Sequence, residues 1–269
     1  MTTADVYGAK ENPYQAWLEA TTGKSVLETW LRSNLGRFLI TNIHSRPATV
    51  VDIGCGEGST SLRLITALRY MAVRVAYTGI DPFPRQFEAF CKTPAEGLVE
   101  EFDLDEGDVD TFQLDKPADL VFASHCLYYA DDLRTALGRI IMSGREVILV
   151  HRGLRGTCSV RHQFDHLVSH GKSVTTTDTD VARELECLRG QGVFARSEHH
   201  RLTARTDVSS CMEDNSKQGQ NLISFFLDQS YASLSGVEIA DIRRFIRLEY
   251  GPLNYQMPQD IGIFYISHK

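Results

Sequence analysis

Val50-Val51-Asp52-Ile53-Gly54-Cys55-Gly56-Glu57-Gly58-Ser59-Thr60 joins an apolar strand to a helix through a glycine loop. Glycines at such a join let the backbone turn tightly and come close to a ligand. Their spacing here is G-x-G-x-G, whereas a loop built around a pyrophosphate reads G-x-G-x-x-G. Glu57 stands in the middle of the loop, where it would repel a pyrophosphate. A cationic, phosphate-free nucleotide cofactor suits the loop better. Glycine turns after strands also occur as plain tight connections, so the loop needs support from the rest of the chain.

Working outward, apolar strands alternate with amphipathic stretches. Strands are expected at 49–53, 73–80, 99–104, 120–124 and 146–150, with helices at 59–69, 85–91 and 132–141 between them. Repeated βα units imply a parallel sheet covered by helices, with ligands at the carboxyl ends of the strands. Upstream, residues 10–42 carry apolar residues at helical spacing, among them Trp17, Leu27, Trp30, Leu31 and Leu35. Beyond His151 the pattern turns to mixed polar segments, with helices expected at 180–188 and 222–227. Ile261-Gly262-Ile263-Phe264-Tyr265-Ile266 reads as a buried final strand.

The composition narrows the partners. Twenty-eight basic against 35 acidic side chains give a formal charge of −7, which disfavours nucleic acid and anionic membranes. A small-molecule partner is expected instead. No run of about 18 apolar residues exists, and the N-terminus has neither a basic nor an apolar targeting region, so a cytoplasmic chain is expected. Six cysteines without a C-x-x-C read as reduced thiols, mostly in the core.

Asp81 lies at the end of the second strand, in Gly79-Ile80-Asp81-Pro82. A carboxylate there can accept both hydroxyl hydrogens of a ribose. Its other reading is a turn or helix-capping aspartate before Pro82. After the fourth strand, Ser124-His125-Cys126-Leu127-Tyr128-Tyr129 brings polar and aromatic side chains to the sheet's carboxyl edge.

The G-x-G-x-G loop resembles that of class I S-adenosylmethionine-dependent methyltransferases. At Cys126–Asp132 the chain is similar to the histamine N-methyltransferase family in particular, whose members are monomers acting on small molecules. Tyr14 and Trp17–Leu35 resemble that family's N-terminal helical cover. Asp81-Pro82 with Gln86 matches its acidic-Pro-x-x-x-Gln segment, and Thr206–Cys211 resembles part of its substrate-binding region. The resemblance spans most of the chain, loosely over 152–205.

That resemblance implies an α/β, Rossmann-like class I methyltransferase sheet, mostly parallel with an antiparallel C-terminal strand. It implies a helical cover at 1–45, a cofactor core at 46–151, and a substrate-binding insertion with closing strands at 152–269. Gly54, Gly56, Gly58, Asp81, Gln86 and Ser124 would contact S-adenosylmethionine. Asp108 and Val109 would lie near its adenine, with a solvated turn aspartate as the other reading of Asp108. His125 and Gln259 fall where the family hydrogen-bonds its substrate, and Tyr14, Tyr128 and Tyr129 would form an aromatic wall. His125 and Tyr128 are the candidate catalytic pair, with His125 either a base or a hydrogen-bond partner.

The substrate side departs from the family. Its substrate-binding glutamate falls at Gly23, so histamine itself is not the expected acceptor. Glu19, one helical turn earlier on the same face, is a candidate for the missing charge, and a solvent-facing glutamate is the alternative. The expected reaction is methyl transfer to a nitrogen of a small molecule. An O-methyltransferase using His125 as base, or a noncatalytic cofactor-binding protein, are the alternatives.

Two weaker patterns carry less. His162, His166 and His170 would share a helical face, but over two turns their α carbons spread about 12 Å, too far to converge on one ion. No metal site is expected. Arg152, Arg155 and Arg161 follow the fifth strand and read as solvated or as an anion site. A serine hydrolase has no support without a G-x-S-x-G elbow.

Overall fold

The computed structural model describes residues 13–38, 46–91, 96–168 and 176–268. The strands are β1 (Ala48–Ile53), β2 (Val75–Asp81), β3 (Glu101–Glu106), β4 (Ala118–Ser124), β5 (Gly144–Arg152), β6 (Arg196–Asp207) and β7 (Gln256–Ser267). They form a seven-stranded sheet in the order β3-β2-β1-β4-β5-β7-β6. Strands β1 to β5 pair in parallel, and the C-terminal strand runs antiparallel, as expected from the resemblance. The sheet has the Rossmann-like arrangement expected from the sequence.

The helices are α1 (Pro13–Ala20), α2 (Gly23–Phe38), α3 (Ser59–Tyr70), α4 (Pro84–Phe90), α5 (Leu133–Met142), α6 (Thr157–Gln163), α7 (Asp178–Gly190), α8 (Lys217–Leu227) and α9 (Gly236–Tyr250). Their starts follow local chemistry. Pro84 opens α4, where a missing N–H costs nothing. Asp132 accepts the Thr135 amide at the head of α5 over 2.8 Å. Capping boxes open α7 at Thr177 and Asp180, and α9 at Ser235 and Glu238. The α9 helix lies outside the helices expected from the sequence, although Ser235-Gly236-Val237-Glu238 carries the S-x-x-E signature.

By compactness the chain divides into two units. One comprises 25–151, 176–202 and 262–269, the other 1–24, 152–175 and 203–261. In the first, fully buried Val121, Val147 and Leu149 pack with Ala136, Leu137, Ile140 and Ile141 of α5. Tyr77, Phe90 and Phe102 fill one end of that unit with ring centroids 5.3–5.7 Å apart. The exposed positions of β3, the edge strand, are Glu101, Asp103, Asp105 and Glu106, charges that discourage pairing with another chain. In the second unit, Phe226, Leu222 and Ile223 of α8 form a core with Ile242 and Ile246 of α9 and with Met257.

Candidate active site

The glycine loop follows β1 in the larger unit, and each glycine in it has its own reason. All three lie in the left-handed region, with φ of 72° at Gly54, 54° at Gly56 and 80° at Gly58. A Cβ on Gly54 would meet Cβ of Cys126 at 2.5 Å, and one on Gly58 would enter the Phe90 ring at 2.2 Å. Gly54 and Gly58 are therefore needed for packing. At Gly56 nothing lies within 4 Å of the same position. Its backbone faces open space, as a loop meant to meet a ligand should.

Asp81 ties that loop to the end of β2. Its Oδ2 accepts the Gly56 amide over 2.9 Å and its Oδ1 accepts the Phe83 amide over 3.0 Å. Burial raises the carboxyl above its ordinary range, while the amides of Phe83 and Gly56 pull it back. Each oxygen spends one lone pair on a backbone amide and keeps another for a ligand hydroxyl.

A second carboxylate lies beneath the loop, one to which the sequence had assigned no role. Asp52 on β1 is 1% exposed and accepts from Ser61 Oγ at 2.5 Å and from the Tyr77 hydroxyl at 2.9 Å. Burial pushes it up to about 6, against the two hydroxyl bonds, and the charge of Asp81 adds to the rise. Burial likewise pushes up the thiols of Cys55 and Cys126, which flank the loop.

At the end of β4 the backbone departs from regular geometry. His125 has a φ of 59°, a left-handed conformation that costs a non-glycine residue about 1–2 kcal/mol. Its amide donates to the Val150 carbonyl on β5 over 2.9 Å, which holds the turn. The imidazole Nδ1 is hydrogen-bonded to the Tyr128 hydroxyl. Tyr129 stands beside Tyr128 at 6.1 Å between ring centroids and is 41% exposed. Since Cys126 packs on Gly54, the histidine and the glycine loop belong to one edge of one sheet.

The turn after β3 is tightly knit. Oδ1 of Asp108 accepts the amides of Asp110 and Thr111 and the Thr111 hydroxyl, at 3.0, 2.8 and 2.6 Å. That oxygen shapes the turn, and Val109 beside it is buried in the core. Ser124 ends β4 half-buried, and Gln86 lies on α4 with its side chain half-buried.

Residues 51–142 match a family model described as a methyltransferase domain. This segment is similar to a methyltransferase domain. No curated protein matches the chain significantly in sequence. Among solved structures, the YcgJ protein from Bacillus subtilis is 12% identical, over 90% of this chain and 99% of that one, with a TM-score of 0.56. Phosphoethanolamine N-methyltransferase 2 from Haemonchus contortus, solved with phosphomonomethylethanolamine and S-adenosylhomocysteine, is 13% identical over 90% of this chain and 53% of that one, at a TM-score of 0.53. The plantazolicin methyltransferase BamL, solved with a triazolic desmethylPZN analog and SAH, is 16% identical over 99% and 94% of the two chains, again at 0.53. At these identities the likeness concerns the fold.

Outside residues 51–142, the remaining candidates lie in the smaller unit. Gln259 is buried, and its Oε1 accepts the amide and hydroxyl of Thr157 at 3.2 and 3.3 Å, capping α6. Tyr14 stacks on Trp17, with ring centroids 5.8 Å apart, and Trp17 stacks on Phe225 at 5.1 Å. Lys24 Nζ stands 5.7 Å from the Tyr14 ring centroid. Glu19 is exposed and accepts a bond from Gln15 over 3.1 Å. Gly23 is buried at the head of α2 and donates its amide to Thr21 Oγ1; since α1 ends at Ala20, Glu19 and Gly23 do not share a helical face as the sequence suggested.

Two of the arginines after β5 are committed within that unit. Arg155 forks onto Asp260, and Arg161 donates to the carbonyls of Phe225 and Phe226, closing the last turn of α8. The α6 helix ends at Gln163, so His162 and His166 do not share a straight helix. His170 lies outside the described residues. Among the described residues no group of three His, Cys, Asp or Glu side chains is arranged to hold a metal ion, and no helix is long and apolar enough to cross a membrane.

Proposed function

We propose that the chain is an S-adenosylmethionine-dependent methyltransferase that methylates a nitrogen of a small molecule. The observation that carries this reading is the open face of Gly56, held at a φ of 54° by the Asp81 carboxylate and packed beside the His125 turn through Gly54 and Cys126. The residues suit this cofactor. Gly56 offers backbone approach without a Cβ, Asp81 offers lone pairs to a ribose, and the acidic Asp52, Glu57 and Asp81 favour a cation over a pyrophosphate.

When bound, S-adenosylmethionine supplies a methyl group already activated by a positive sulfur. The chain's task is to orient, to exclude water and to keep the attacking nitrogen unprotonated. Orientation of two reactants alone contributes on the order of 7–11 kcal/mol. His125 and Tyr128 hold the acceptor at the end of β4, and the imidazole takes up or relays the proton that the methylated nitrogen sheds. Gln86, Ser124, Asp108 and Val109 complete the cofactor's surroundings in this proposal, and Tyr14, Tyr129 and Gln259 belong to acceptor recognition. The kinship with the histamine N-methyltransferase family is part of the same proposal, with Gly23 arguing for a different acceptor.

The test is turnover of labelled S-adenosylmethionine across a panel of amines, imidazoles, guanidines and phenols, with products assigned by mass spectrometry. N-methyl products are expected. Absence of cofactor binding by calorimetry, or exclusively O-methyl products, would overturn the proposal.

A further inference from the structure

His151 is fully buried at the end of β5, and nothing in the proposed reaction uses it. Strands β4 and β5 pair in parallel with Ser124 opposite Val150, so His125, the first residue past β4, and His151, the next residue of β5, come side by side at that edge. Tyr128 stands with both of them. Its hydroxyl is bonded to Nδ1 of His125, and its ring lies 4.5 Å from the His151 ring at an angle of 47°. His151 is itself anchored, because Nε2 is 3.1 Å from the Thr176 carbonyl oxygen. A carbonyl only accepts, so Nε2 carries the hydrogen and the ring plane is set.

We propose that His151 is a positioning residue, whose anchored ring holds Tyr128 on Nδ1 of His125 and so commits His125 to meet the methyl acceptor through Nε2. The physical need is clear from the backbone. His125 sits on a left-handed turn outside the regular strand, where the Val150 carbonyl holds its amide and the ring takes its hydrogen bond from Tyr128. A phenol bonded to Nδ1 fixes the imidazole, provided the phenol is itself held. Tyr128 lies in the short turn Leu127–Tyr129, and the face of His151 supplies a fixed surface for its ring. The arrangement parallels the logic of a base oriented by a third group, with a tyrosine as the orienter and a buried histidine behind it.

This inference rests on the reading of His125 and Tyr128 as the acceptor pair, and a readout that needs no turnover separates the two. In protein carrying ¹⁵N-labelled histidine, Tyr128→Phe should move the His125 Nδ1 resonance, and His151→Leu should move it in the same direction. His151→Gln, which keeps a donor for the Thr176 carbonyl but lacks the ring, should act like His151→Leu and serves if the leucine variant does not fold. A folded His151 variant with the native His125 resonance overturns the inference. Kinetically, each His151 variant should lower kcat by about ten-fold or more while KM stays within about two-fold. Combined with Tyr128→Phe it should add nothing, and independent, multiplying losses would equally sink the idea. Wild-type protein that binds no S-adenosylmethionine would count against the methyltransferase reading and leave the resonance test standing.

Discussion

The amide of Gly56 donates to Oδ2 of Asp81 over 2.9 Å, so the carboxylate that ends β2 closes the loop that follows β1. Asp81 thus has two tasks under the proposed function, to shape the loop and to receive a ribose. Asp81→Asn keeps one acceptor oxygen and turns the other into a donor that faces an amide. Cofactor affinity should fall by roughly ten- to hundred-fold, the worth of a charged hydrogen bond of about 1.5–3 kcal/mol. Isothermal titration with S-adenosylhomocysteine measures this, and an unchanged dissociation constant would remove Asp81 from the site.

The glycines should separate by what surrounds them. Gly58→Ala drives a methyl group into the Phe90 ring at a φ of 80° and should cost about 3 kcal/mol of folding stability. Gly56→Ala meets open space and should cost only about 1 kcal/mol, yet it should weaken cofactor binding the more clearly of the two per unit of stability lost. Denaturant unfolding paired with calorimetry distinguishes these outcomes. Equal stability losses would contradict the packing argument.

The larger unit was legible because its signals are local. Apolar runs separated by amphipathic stretches place β1 to β5, and the glycine spacing places the loop. What escaped the sequence depends on pairing across the fold. Nothing in the order of residues says that Ser124 faces Val150, and that register, with the Leu127–Tyr129 turn that follows β4, brings His151 against Tyr128. Asp52 read as one more strand residue, because the hydroxyls of Ser61 and Tyr77 reach it from a helix and a neighbouring strand. The α9 helix was legible and passed over: its capping box and the helical spacing of Ile239, Ile242, Phe245 and Ile246 are both present in the sequence.

Gln259 tests a division between capping and recognition. Its Oε1 satisfies the first turn of α6, and a Cβ on Gly156 would strike that same oxygen at 2.4 Å. Gln259→Leu leaves the Thr157 amide without its acceptor and should destabilise the fold by about 1–3 kcal/mol, read as a lower denaturant midpoint. Gln259→Glu retains the acceptor at a helix N-terminus and should restore most of that loss. If Gln259 also recognises the acceptor, the glutamate variant will keep stability and still raise KM, because it lacks the amide donor. A glutamate variant with native KM would leave the residue a cap alone.

Asp52 should leave a signature in the pH dependence of stability. Its folded pKa of about 6 lies above the ordinary aspartate value of about 3.9, so between these the native state holds the proton more tightly than the unfolded chain. Stability from this group is therefore greatest below pH 4 and is lost as pH rises through 6, a cost of about 3 kcal/mol at neutral pH. Asp119 and Asp178, held low by arginine and hydrogen-bond partners despite burial, act in the opposite sense, so the whole-protein profile mixes both. The difference between wild type and Asp52→Asn isolates the one group. An asparagine oxygen still accepts from Ser61 and Tyr77 and carries no buried charge, so the variant should gain on the wild type steadily from pH 4 to pH 7. Urea unfolding across that range measures the difference. A gap that does not change with pH would mean that Asp52 titrates no differently in the folded protein than in the unfolded chain.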